Sequence, residues 1–205
     1  MTSSARQAIV FDLGGVLVNW DPEYLYRKIF SDEKEMRYFL NEVCTPDWNE
    51  QQDEGRSVRE GTELLVGRYP HYEKAIRAYY GRWEEMLGEP FEDTIAILST
   101  LKEQGDHPLY ALTNWSAETF PIAYDRYDFL HWFDGIVVSG AEKTRKPFPL
   151  FYQLLLDRYH LIPEKTFFTD DNLRNITAAQ QAGLDAELFT TPAALRSALE
   201  RRKLI

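Results

Sequence analysis

Ala8-Ile9-Val10-Phe11-Asp12-Leu13-Gly14-Gly15-Val16 is the stretch on which the reading of this chain turns. Four apolar residues run straight into an aspartate, and two glycines follow. The run is short enough for a buried strand. Glycine permits positive φ and lets a ligand approach the backbone closely. A carboxylate at the carboxyl end of a strand stands where open α/β sheets bind their ligands.

Outward from that point, short apolar runs at 109–113, 136–139, 166–169 and 186–189 also read as buried strands. Helical patterns lie between them, at about 92–104, 117–127, 148–160 and 172–182, and Thr191-Pro192 starts a last helix. Strands alternating with helices predict a parallel sheet covered on both faces. The segment 16–88 has a different texture, helix after helix, rich in aromatics and charge. Asp21-Pro22 and Thr45-Pro46 are helix starts, and Ser57 with Glu60 forms a capping box. Tyr79, Tyr80, Trp83 and Leu87 are spaced as one apolar helical face, expected to pack in a core, with Gly88 able to end that helix. The chain thus reads as an α/β core, 1–15 with 89–205, interrupted after its first strand by a helical cap at 16–88.

The strand ends carry the chemistry. Asp12 follows the first strand, and Thr113-Asn114 closes the second. Gly140-Ala141-Glu142-Lys143-Thr144-Arg145-Lys146-Pro147 follows the third, placing three cations just before a helix whose first turn is read to include Pro147. Asp170-Asp171-Asn172 follows the fourth. Taken singly, these are ordinary turns, helix caps or solvated loops. Together they set three carboxylates, a hydroxyl–amide pair and a cationic loop on the ligand face of one sheet. Carboxylate and carbonyl oxygens suit magnesium. Lysine and arginine suit phosphate oxygens, and a carboxylate can act as a nucleophile.

Composition narrows the partners. The chain has 205 residues, 44% hydrophobic and 27% charged, with 23 basic and 33 acidic residues and a net charge of −10. That is enough for one core with a small accessory unit. The acidic balance argues against nucleic acid or an anionic membrane as the main partner. Cys44 is the only cysteine, so no intrachain disulfide can form, and it is expected to be buried and idle. No signal peptide and no apolar run near the ~20 residues of a bilayer span are visible, which predicts a cytoplasmic protein.

Asp12-Leu13-Gly14-Gly15-Val16, Thr113-Asn114, Lys146-Pro147 and Asp170-Asp171 resemble, in order, the four motifs of the haloacid-dehalogenase-like hydrolases. The resemblance covers nearly the whole chain and includes the cap after the first motif. Within it, Phe11 to Val16 and Phe167-Phe168-Thr169-Asp170-Asp171-Asn172 look like the sugar-phosphate phosphatases typified by α-glucose-1-phosphate phosphatase. The phosphatase domain of soluble epoxide hydrolases is a more distant relative.

The resemblance implies a Rossmann-like α/β fold and a phosphatase acting on a small phosphorylated metabolite. Asp12 would attack phosphorus. Asp12, the Gly14 carbonyl, Asp170 and Asp171 would hold Mg2+, and Asn175 would orient that site. Thr113 and the Asn114 backbone would hold phosphoryl oxygens, and Lys146, ahead of Lys143 or Arg145, would neutralise charge. A monomer or small homo-oligomer is expected.

One departure matters. Phosphatases of this kind usually carry a second aspartate two residues after the nucleophile, as general acid and base; here that residue is Gly14. The glucose-1-phosphate-like subgroup shares the glycine. Water or a cap residue would then supply the proton, with Asp53, Glu54 and His71 as the candidates. True 2-haloacid dehalogenases also lack this aspartate, because halide needs no proton, and so form the alternative reading; they do not need the acidic pair Asp170-Asp171. A third reading is a non-catalytic metal- or phosphate-binding regulatory protein. In the cap, Trp20, Trp48 and Trp83 could stack on a sugar or pack in a core, and the turn Asp53-Glu54-Gly55-Arg56 is expected to face the site.

Overall fold

The computed structural model describes residues 7–205. Five strands form one fully parallel sheet: β1 (Ala8–Phe11), β2 (Leu109–Thr113), β3 (Gly135–Val138), β4 (Thr166–Asp170) and β5 (Asp185–Leu188), in the order β3-β2-β1-β4-β5. β1 is central, with Ile9 opposite Leu109 on one side and Phe167 on the other. Its side chains alternate between two buried faces. Ile9 and Phe11 join one apolar cluster, while Val10 joins the other with Leu112, Val137 and Phe168. Burial on both faces is why these strands read as unbroken apolar runs. The expected strands at 136–139 and 186–189 each begin one residue earlier than read.

Eleven α-helices are present among the described residues. Six lie between β1 and β2, the first five of them in the helical insert: α1 (Glu23–Tyr26), α2 (Glu33–Tyr38), α3 (Pro46–Asp53), α4 (Val58–Arg68) and α5 (Glu73–Gly81). The remainder connect or follow the strands, with both α8 and α9 between β3 and β4: α6 (Glu92–Gln104), α7 (Phe120–Arg126), α8 (Ser139–Glu142), α9 (Pro149–Tyr159), α10 (Leu173–Gln181) and α11 (Pro192–Arg201). The α6 and α11 side chains Leu98, Leu101 and Leu199 pack in the cluster holding Ile9. Phe151 and Leu155 of α9 and Ile176 of α10 pack against Val10.

The helix starts follow their local chemistry. Thr45 accepts from Trp48 N, Ser57 from Glu60 N and Thr191 from Ala194 N. Two readings need correction. The aromatic segment after Tyr79 is not one helix, because α5 stops at Gly81 and a 3-10 turn covers Trp83–Met86. Tyr79, Trp83 and Leu87 enter the core and Tyr80 packs against it, and Tyr80 and Trp83 also line a cavity. Pro147 lies outside α9, which has Phe148 at its N-cap and Pro149 in its first turn.

The helical insert leaves and rejoins the sheet along paired backbone. Trp20 bridges Leu87 antiparallel, Asp21 N donates to Met86 O at 2.9 Å, and Gly88 N donates to Asn19 O at 2.8 Å. A turn of α3 then sets the insert down on the core. Ser139 Oγ donates to Asp53 O, and Glu118 accepts from Val58 N at 2.7 Å.

Candidate active site

Four strand ends converge. Asp12 follows β1, and its backbone N–H donates to Thr169 O of β4 at 2.9 Å. Thr113 and Asp170 are the last residues of β2 and β4. Lys146 arrives on the loop beyond β3 and α8. Its Nζ lies 2.8 Å from Asp12 Oδ1 and 2.7 Å from Asp170 Oδ2. This lysine is wholly buried, with its ammonium 5.6 Å from the centroid of the Phe168 ring.

Two amides hold the arrangement. Asn114 clasps the Lys146 backbone in both directions: Lys146 N donates to Asn114 Oδ1 at 2.9 Å, and Asn114 Nδ2 donates to Lys146 O at 3.0 Å. Asn175 Nδ2 lies 3.0 Å from both oxygens of Asp170, and Asn172 N donates to Asp170 Oδ1 at 2.8 Å. The three cations of the sequence motif separate. Lys146 is buried at the centre, Arg145 pairs with Glu50 and Glu54 of the insert, and Lys143 is exposed.

Oxygens of Asp12, Asp170 and Asp171 lie within 4.8 Å of one another. Three carboxylates face one lysine, so the cluster carries excess negative charge in a largely enclosed place. Burial, and then the charge of Asp170, push Asp12 well above the usual carboxylate range. Burial also acts on Asp170, but Lys146 and the Asn172 N–H hold it below its ordinary value. Burial lowers Lys146, and its two carboxylate neighbours more than offset that. Such an all-oxygen cluster fits a hard divalent cation such as magnesium.

The glycines have distinct reasons. Gly15 has φ +73°, and a Cβ there would fall 2.2 Å from Asp171 Oδ2, so the carboxylate of Asp171 occupies the space a side chain would need. Gly14 is the reverse: nothing lies within 4 Å of the place its Cβ would take. That open space belongs to a cavity of about 90 Å³ between sheet and insert. Trp20, Tyr80, Trp83 and Trp115 give it aromatic walls. Asn49, Asp53, Asn114 and Thr119 supply its polar groups. The Thr113 hydroxyl, at the end of β2, is buried without a protein partner.

The structure thus brings Asp12, Lys146, Asp170 and Asp171 together, with Asn175 behind them. Of the expected cap turn, Asp53 lines the cavity, but Arg56 turns back into the insert to Gln52, Gln51 and Trp48. Trp48 also faces inward, donating to Gly61 O at 3.1 Å. His71 is exposed and contacts the rings of Tyr69 and Tyr72. Asn49, Tyr80, Trp115 and Thr119 were not singled out by their sequence setting as site residues. For Asn49 the signal was there, since it sits one helical turn before Asp53.

The sequence pattern of haloacid dehalogenase-like hydrolases matches residues 7–183. The chain belongs to that family and is a hydrolase of it. It is 28% identical to a sesquiterpene phosphatase of Aspergillus oryzae, over 97% of this chain and 96% of that one. It is 24% identical to a phosphorylated-carbohydrates phosphatase of Thermotoga maritima, over 87% of this chain and 82% of that one. A crystal structure of a dehalogenase shares the fold at a TM-score of 0.72, with 18% identity over 96% of this chain and 98% of that one.

Proposed function

We propose that the protein is a magnesium-dependent phosphatase that hydrolyses a small phosphate monoester, a sugar phosphate being the class to test first. The observation that carries this reading is the acidic cluster around Lys146, with carboxylate oxygens of Asp12, Asp170 and Asp171 within 4.8 Å of one another. A dehalogenase displacing halide from carbon needs no such cluster. The two phosphatases to which the chain is similar support the same choice.

In this reading Asp12 attacks phosphorus in line and forms an aspartyl-phosphate. Lys146 neutralises charge on the nucleophile and on the phosphoryl group. The Thr113 hydroxyl and the Asn114 backbone hold phosphoryl oxygens, while the Asn114 side chain fixes the Lys146 backbone. Asp12, the Gly14 carbonyl, Asp170 and Asp171 would hold the magnesium, and the bound ion supplies charge neutralisation for phosphoryl transfer. Residues 16–88 act as the cap that closes over the substrate.

The cavity bears on the substrate. At about 90 Å³ it has room for several waters or a compact alcohol. Aromatic walls with amide and hydroxyl groups between them suit a sugar ring.

The test is phosphate release from a panel of sugar phosphates, p-nitrophenyl phosphate and a sesquiterpenyl phosphate, with magnesium or with EDTA, using Asp12→Asn as control. Metal-dependent release that vanishes in the variant is the expected result. No release from any ester would overturn the reading, and chloride release from 2-chloropropionate would replace it with the dehalogenase.

A further inference from the structure

When the phosphate ester of an ordinary alcohol is cleaved, the departing oxygen needs a proton. The loop after β1 cannot give one, since the residue two past Asp12 is Gly14. The space above Gly14 is open, and Asp53, brought by the helical insert, lines the same cavity. Asp53 is the last residue of α3, the helix the insert lays against the core.

Its carboxyl group is held in position. Asn49 Nδ2 donates to Asp53 Oδ2 at 2.9 Å, and the Tyr80 hydroxyl fixes that amide by donating to Asn49 Oδ1 at 2.8 Å. The backbone N–H of Ser116, on the core side, also donates to it. Arg145, the nearby cation, forms its ion pairs with Glu50 and Glu54 instead.

The geometry points to Asp53 as the general acid of this enzyme, delivered by the helical insert to the space that the absent side chain of Gly14 leaves open. The assignment rests on the phosphatase reading of the same site. As an Asp12 oxygen bonds to phosphorus, the bond from phosphorus to the ester oxygen breaks, and that oxygen takes the Asp53 proton and leaves as the alcohol. The Asp53 carboxylate then accepts a proton from the water that attacks the aspartyl-phosphate, phosphate departs, and Asp12 and protonated Asp53 are regenerated.

The groups facing this carboxyl are Glu50 on its own helix, Arg145 from the loop after β3, Tyr79 and Tyr80 from α5 and the Ser116 N–H. Burial is the largest influence, and the balance pushes the carboxyl up to about 7. A donor near neutrality serves both half-reactions.

The experiment compares wild type with Asp53→Asn, in magnesium, on glycerol 2-phosphate and on p-nitrophenyl phosphate, whose phenolate leaves without a proton. The expected loss is about 10²-fold or more in kcat/KM on the alkyl ester, with little change in kcat/KM on the nitrophenyl ester, since kcat/KM reads only the steps up to departure of the alcohol. The fall in wild-type alkyl-ester kcat/KM above pH ~7 should be absent from the variant. Adding Gly14→Asp to Asp53→Asn should restore alkyl-ester turnover, which separates a missing acid from a damaged fold. Equal losses of kcat/KM on the two esters, or no loss on either, would overturn the role of Asp53. A wild-type enzyme inert on both would overturn the phosphatase reading and the acid with it.

Discussion

Lys146 is the residue whose loss the site can least absorb. Its ammonium sits between Asp12 and Asp170 at 2.8 and 2.7 Å, so removing it leaves two carboxylates facing each other. Breaking a buried pair by deleting one partner costs roughly 3–5 kcal/mol. Lys146→Met should therefore abolish turnover and lower Tm, and magnesium should recover part of the lost Tm by replacing the missing charge. A variant with unchanged Tm in metal-free buffer would contradict this.

Asp53 makes the opposite prediction. Its carboxyl is raised to about 7 in the fold, above its unfolded value, so the native state binds more protons between the two and loses stability as pH rises through that window. Below pH ~4 the effect vanishes. Asp53→Asn should thus be more stable than wild type at pH 8, by roughly 1–3 kcal/mol, and equal to it near pH 4, as read by urea unfolding. At this scale Asp12, Lys146, Asp170 and Asp171 were legible because each follows an apolar strand in a fixed order. Tyr80 and Trp115 were not, because an aromatic side chain reads alike whether it faces a core or a cavity.

At the scale of elements, α3 joins the two halves. Thr45 caps its start, Trp48 and Gln52 bury one side, and Asn49 and Asp53 turn to the cavity. Glu50 reaches the core, with Arg145 at 2.8 Å and Arg174 at 2.7 Å. These pairs are partly exposed, so each contributes about 0–1 kcal/mol and weakens with salt. Glu50→Gln should raise KM more than it lowers kcat, by a factor of a few, and should flatten the salt dependence of KM. An unchanged KM across salt in both proteins would count against α3 as an electrostatic latch. Strands and most helix starts were legible here, since apolar runs and Thr-Pro or Ser-x-x-Glu signals are local. The end of α5 was not. Apolar spacing continues through Trp83 and Leu87, but the backbone leaves the helix at Gly81, where the chain turns back toward the sheet.

At the scale of the molecule, the alternation of strands and helices made the parallel sheet legible, and the strand order follows once β1 is placed in the middle. The seating of the insert was not legible, because ion pairs such as Glu50 with Arg174 join residues far apart in sequence. The central position of β1 has a consequence for synthesis. Its partners begin at Leu109 and Thr166, so a chain emerging from the ribosome carries this strand unpaired while about a hundred residues are made, and it is sealed on its second side only when β4 emerges. The helical insert leaves the exit tunnel well before the platform it rests on. A chain truncated after residue 160 should therefore expose Ile9 and Phe11 to chaperones and proteases, whereas the full chain, with β4 and α11 in place, should protect them.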